Sequence, residues 1–248
     1  MIWPFSRHKP TTELDPTLWR QAAAGLPWLR SIDAQKQAAL QTLVGEFLAH
    51  KAITPVDDLQ LNDVQRLRLA MLCCLPLLEF GREGLYGWSE LVVYPQAFRV
   101  QHSYMDAQGV LHESNEALIG EAWERGPVIL SWADVRAEIA APGMGRCVPV
   151  HEIAHKLDAL DGAMDGTPPL PRDWQKQWAA DFQRAYDALC KQAEAGHPTA
   201  IDPYAAESPE EFFAVCSEYH FSDVATLRRA MPEVAAHLQR FYGVPLLG

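Results

Sequence analysis

Val150-His151-Glu152-Ile153-Ala154-His155-Lys156-Leu157-Asp158 is the stretch on which the reading of this chain turns. Its residues are good helix formers, and two histidines four positions apart project from one helix face, within reach of a single metal ion. Glu152 lies roughly 100° further round the helix than His151. There it can meet a water activated by the metal instead of the metal itself, and a carboxylate so placed is a natural general base. The spacing therefore predicts an active-site helix carrying a His-Glu-x-x-His clip. The competing reading is an exposed helix whose His and Glu are simply solvated.

A catalytic zinc takes three protein donors and keeps one position open, so a third donor is expected downstream. Tyr204-Ala205-Ala206-Glu207-Ser208-Pro209-Glu210-Glu211-Phe212-Phe213-Ala214 offers it. Ser208 followed by Pro209 marks a helix start, which places Glu210 and Glu211 in the first turn. Glu207, Glu210, Glu211 and Glu218 all compete for the role. The core stripe Phe212, Val215, Cys216 and Tyr219 leaves Glu211 and Glu218 at its margin and does not decide between Glu210 and Glu211. Ser208-x-x-Glu211 is equally a capping box, the bland alternative for Glu211.

Outward from the site, helical periodicity predicts helices over 33–50, through Ala39, Leu40, Leu43, Val44, Phe47 and Leu48, and over 62–78, where the apolar run 69–78 contains Pro76 and reads as a buried core helix ending near it. From Ser89 to Val100, and again over Pro127 to Trp132, β-branched and aromatic residues predict short strands. Helices return at 173–193, 209–221 and 224–241, separated by Pro- and Gly-rich loops at 162–172 and 196–204. Residues 1–15 read as a flexible arm. Residues 16–248 then form a single domain, with a helical portion to about 80 and a catalytic portion over 81–248. The order of elements predicts a mostly helical α+β fold with a small sheet.

Composition narrows the class. The chain has 248 residues, 48% of them apolar and 21% charged, which is ordinary globular usage. A net charge of −11 opposes direct nucleic-acid contact. Neither a signal peptide nor an apolar run of membrane length stands out, and no membrane contact is expected. Cys73, Cys74, Cys147, Cys190 and Cys216 are scattered without a C-x-x-C pair and read as reduced residues of a cytoplasmic protein. A monomer is expected, since no sustained heptad is present.

The stretch 150–158, together with Asp202 to Phe221, resembles the Mlc titration factor A family of bacterial metallopeptidases. Trp3-Pro4-Phe5, the segment 74–79, the segment 93–98 and the segment 126–132 are similar to family segments in the same order, so the likeness spans most of the chain. Tyr204 with Glu211-Phe212-Phe213-Ala214 also resembles the catalytic domain of anthrax lethal factor. These resemblances imply a zincin-like metallopeptidase with one zinc held by His151, His155 and Glu211, which resolves the tie in favour of Glu211. They imply that Tyr204 points its hydroxyl into the site to stabilise an oxyanion; without them Tyr204 is a packing aromatic of a loop. They further imply aminopeptidase-like action on a peptide substrate and an anti-repressor role through binding the transcriptional repressor Mlc. The alternative is a non-catalytic binding module that sequesters a repressor around a structural or vestigial zinc site.

Asp158 and Glu218 are the nearest candidates to hold a ligating histidine in one tautomer, against a local backbone bond for the first and a solvated helix position for the second. His102, His112, His197, His220 and His237 read as surface or satisfied core residues. The strand at 128–132 is expected to be fully buried or, alternatively, to pair with an extended peptide along its edge.

Overall fold

The computed structural model describes residues 13–96, 103–105, 111–113 and 126–247. Most of the flexible arm expected at 1–15, Trp3-Pro4-Phe5, residues 97–100 of the expected strand region and His102 lie outside the described residues, as does the side chain of His112.

Asp15 starts the first helix, α1 (Pro16–Ala24), by accepting the backbone N–H of Thr17 at 2.6 Å. The next two helices begin with the same chemistry. Asp33 caps α2 (Ala34–His50), and Asn62 with Gln65 forms a reciprocal capping box on α3 (Asp63–Cys74). The helix expected to end near Pro76 does so: α3 stops at Cys74 and tightens into a 3₁₀ turn over Leu75–Leu77, because Pro76 has no N–H to continue the ladder.

Between α2 and α3 runs a strand that periodicity does not reveal, β1 (Ala52–Pro55). It pairs in parallel with β2 (Glu90–Tyr94), Ala52 opposite Glu90, and β2 pairs in parallel with the strand at Val128–Ser131, Leu91 opposite Val128. Residues 103–105 (β3) and 111–113 (β4) form a separate antiparallel pair, which makes the strand at 128–131 β5. The molecule is thus mostly helical around a small parallel sheet, ordered β1-β2-β5. That sheet joins the segment before residue 80 to the segment after it.

β5 is shorter than the run 127–132 suggests. Ser131 accepts the N–H of Asp134 and so caps a helix, α4 (Trp132–Ala140), in which Trp132 is the first residue. Val128 and Leu130 are fully buried, yet β5 stands at the margin of the three-stranded sheet among the described residues.

The remaining helices are α5 (Val148–Asp158), α6 (Arg172–Glu194), α7 (Pro209–Ser222), α8 (Val224–Ala230) and α9 (Pro232–Tyr242). The single helix expected over 224–241 is two. Pro232 drives the residue before it out of helical conformation, and Met231 takes φ −141° and ψ 68°.

α5 buries Val150, Ile153, Ala154 and Leu157 against α3 and α7. Behind α7 stands an aromatic block that fixes it from the other side. Trp178 and Phe182 of α6 stack at 4.0 Å between ring centroids, and Phe213, Phe241 and Tyr242 close around them. Gly166 links three elements: its N–H reaches Asp158, its carbonyl accepts from Trp178, and a side chain added there would meet the Pro209 carbonyl at 2.4 Å. At φ +78° only glycine fits without strain. The C-terminus of α5 and the start of α7 are thereby held at a fixed separation.

Candidate metal centre

The i to i+4 spacing on α5 puts the imidazoles of His151 and His155 edge to face, with their Nε2 atoms 3.1 Å apart. α7 crosses α5 so that Glu211, in its first turn, turns its carboxylate to both rings. Oε2 lies 3.1 Å from His151 Nε2, and Oε1 lies 3.5 Å from His155 Nε2. Ser208 does cap this helix, accepting the Glu211 N–H at 3.3 Å. The Glu211 side chain reaches the histidines instead of closing a capping box.

Of the other carboxylates weighed for this place, Glu207 is exposed and Glu210 partly so. Glu218, two turns beyond Glu211 on α7, is buried and does something else. Its Oε1 meets Nδ1 of His151 at 2.9 Å, and its Oε2 accepts the backbone N–H of Cys147 at 2.6 Å. The solvated-helix reading of Glu218 is therefore wrong, because α5 covers that face of α7.

This contact fixes the chemistry of His151. A carboxylate at Nδ1 calls for Nδ1–H, which leaves Nε2 as a lone pair. That lone pair faces a Glu211 oxygen at 3.1 Å, and two acceptors at such a distance need a cation between them. In the metal-free protein the cation is a proton. Burial opposes it, but Glu211 and Glu218 together raise the His151 pKa well above its ordinary value. Burial likewise opposes ionisation of Glu211, yet the two histidines hold its carboxyl well below the usual range.

The donor set also fits a metal by geometry. Three ligands bound at about 2.0–2.1 Å around a tetrahedral ion stand roughly 3.3 Å from one another, and the three separations here are 3.1, 3.1 and 3.5 Å. Two imidazoles and one carboxylate, leaving a fourth position open, are the donors of catalytic zinc sites.

Glu152 sits beside this cluster. Burial pushes its pKa above the ordinary carboxylate value, the two histidines pull it down, and Glu211 pushes it up again. Tyr204 is carried by a 3₁₀ turn, Pro203–Ala206, whose start is capped by Asp202. Its ring is half exposed, with its centroid 6.2 Å from that of His151. Partial burial, and after it the Glu211 carboxylate, raise its phenol above the normal range, so the hydroxyl keeps its proton at any working pH.

Asp158 takes the local backbone bond. Its Oδ2 accepts the Gly166 N–H at 2.8 Å, and burial raises its carboxyl to about 7. Lys156, also buried, donates to the Gly126 carbonyl at 3.1 Å and tethers α5 to the entry of β5. His197 is exposed. His237 is a satisfied core residue, its Nδ1 accepting from Trp174 Nε1 at 2.6 Å and its Nε2 meeting Asp181 at 2.9 Å. A further residue escaped sequence reading: Glu138 on α4 accepts the N–H of Val148 at the start of α5. A lone glutamate in a helix with no motif around it gives no signal of such a contact.

The family described as "Glucose-regulated metallo-peptidase M90" matches residues 3–243 of this chain. The chain belongs to that family. Among its curated relatives, Mlc titration factor A of Serratia proteamaculans (strain 568) is 36% identical over 97% of this chain and 91% of its own length. The protein of the same name from Escherichia fergusonii is 35% identical over 99% and 92%, and that of Pectobacterium atrosepticum 34% over 97% and 90%. Membership of a metallo-peptidase family and the convergence of His151, His155 and Glu211 agree on one place, where α7 crosses α5, at which a metal ion would be held.

Proposed function

We propose that this protein is a zinc-dependent, aminopeptidase-like metallopeptidase whose metal is held by His151, His155 and Glu211. The observation that carries this reading is the near-tetrahedral spacing of three donors with an unliganded carboxylate, Glu152, alongside. A zinc ion held there supplies Lewis acidity towards a peptide carbonyl and lowers the pKa of water. Glu152 takes the water's proton and delivers it to the departing amine. The Tyr204 hydroxyl donates a hydrogen bond to the carbonyl oxygen as negative charge develops there. Glu218 keeps His151 in the tautomer that binding requires. Among the described residues β5 is the marginal strand of its sheet, and an extended peptide substrate pairing along that margin would meet a row of backbone groups.

We further infer an anti-repressor role in the cytoplasm, with the protein acting as a monomer that binds a repressor of the Mlc kind. The support is the name shared by the relatives above, the presence of five free thiols, and a net charge of −11 that complements a basic DNA-binding partner while disfavouring DNA itself. Among the described residues no helix is long and apolar enough to cross a membrane. The word "titration" in the relatives' names favours one second reading, a binding module that sequesters the repressor without catalysis.

Glu152→Gln separates the two. It removes the base and leaves all three metal donors, so hydrolysis of chromogenic aminoacyl substrates is expected to fall by about 10²–10⁴-fold while zinc content and repressor binding persist. A wild-type protein that carries zinc, cleaves nothing and still binds the repressor would establish the binding module instead.

A further inference from the structure

The first turn of α5 has no side-chain cap of its own, since Cys147 occupies the N-cap position and makes no capping bond. Every backbone donor there can nonetheless be accounted for. Val150 N and His151 N both reach the Cys147 carbonyl, at 2.8 and 3.0 Å, and Pro149 has no N–H. The two donors left over are Cys147 N and Val148 N, and each is taken by a carboxylate from a distant element. Cys147 N donates to Glu218 Oε2 of α7 at 2.6 Å, and Val148 N donates to Glu138 Oε2 of α4 at 3.0 Å.

Glu218 is explained by its bond to His151, but Glu138 makes no hydrogen bond to His151, His155 or Glu211 and meets Glu218 only through repulsion between their carboxyls. It is buried to 9% exposure, and its other oxygen, Oε1, is enclosed with no partner. Enclosing a carboxyl for one backbone bond is costly unless that bond fixes something. Val148 begins the turn from which His151 projects, and α4 follows directly from β5. We propose that Glu138 is a positioning residue for the metal centre: by accepting the Val148 N–H it fixes where α5 starts relative to β5 and α4, and so where His151 meets Glu211. Burial raises the Glu138 carboxyl to about 8, so near neutrality it sits there uncharged and a glutamine is close to isosteric with it.

This inference rests on the metal reading above, and the test keeps the two apart. Zinc affinity is measured by competition with a chelating dye in the full chain, for wild type, Glu138→Ala, Glu138→Gln and, as a control at a remote helix cap, Asn62→Ala. Glu138→Ala is expected to bind zinc about tenfold more weakly and Glu138→Gln within about twofold of wild type, its side-chain carbonyl accepting the same N–H. Asn62→Ala, which loses a cap of similar worth on α3, is expected to bind as wild type.

Backbone hydrogen exchange of Val148, read by NMR in the zinc-free chain, is expected to speed up at least tenfold in the alanine variant only. Should Glu138→Ala not fold, Glu138→Asp replaces it, being one methylene too short to reach Val148. Unchanged zinc affinity in the alanine or aspartate variant would overturn the proposal, as would an equal loss in Asn62→Ala. If wild type binds no zinc, the metal reading fails, and Val148 exchange alone decides whether Glu138 anchors the helix.

Discussion

Replacing Glu218 by Gln gives a test in which the structure dictates the alternatives. The carboxylate has two acceptor oxygens and two buried donors facing them, His151 Nδ1–H at 2.9 Å and Cys147 N–H at 2.6 Å. Glutamine keeps one acceptor and turns the other into an NH₂ donor. If its carbonyl stays with Cys147, the NH₂ faces Nδ1 of His151, and the ring must move its proton to Nε2. That proton then occupies the lone pair that a metal needs, and zinc affinity falls by about 10–100-fold.

If the carbonyl goes to His151 instead, the Cys147 N–H is buried against a second donor. That leaves a group unsatisfied at about 1–3 kcal/mol, which for a domain of this size lowers Tm by roughly 2–12 °C. Dye-competition titration and thermal unfolding on the same samples separate the two branches, and ¹⁵N shifts of the His151 ring report the tautomer directly. A Glu218→Gln protein with wild-type zinc affinity and wild-type Tm would refute the argument, since no arrangement of an amide satisfies both donors.

The Tyr204→Phe variant keeps the ring and loses the O–H, so kcat is expected to fall by about 10²–10³-fold with KM and zinc content near wild type; a change confined to KM would mean that the residue only packs against substrate. His220 is fully buried on α7, and burial lowers its pKa from 6.5 to about 4, so it stays neutral in the folded protein while the unfolded chain takes up a proton. Its contribution to stability is therefore present above about pH 6.5 and lost as the pH falls towards 4, at up to about 1.4 kcal/mol per pH unit. Urea unfolding at pH 7.5 and 5 is expected to give a smaller pH dependence for His220→Phe than for wild type, and equal dependence would contradict this.

The sequence by itself determined what is local. Four-residue spacing places His151 and His155 on one face whatever surrounds them, and Glu152 must then lie beside that face. Asp33, Asn62 and Ser208 announce the helices they cap for the same reason: the bond closes within one turn. Even the break at Met231 is written in Pro232, although helical periodicity alone runs straight through it. Family resemblance supplied what the local pattern left open, the preference for Glu211 over Glu210.

What only the tertiary structure decided depends on which face of one element meets another. Glu211 and Glu218 are equivalent on a helical wheel, seven residues apart. The crossing of α7 over α5 gives the first to the ring nitrogens His151 Nε2 and His155 Nε2, and the second to His151 Nδ1 and the start of α5. β1 needs β2 as a partner to be a strand at all, and four residues ending in proline carry no period that could announce it. Only the packing of α4 beside α5 brings the Glu138 carboxyl to the Val148 N–H. A bond between residues distant in sequence has no spacing from which to be read, and packing alone chooses its partners.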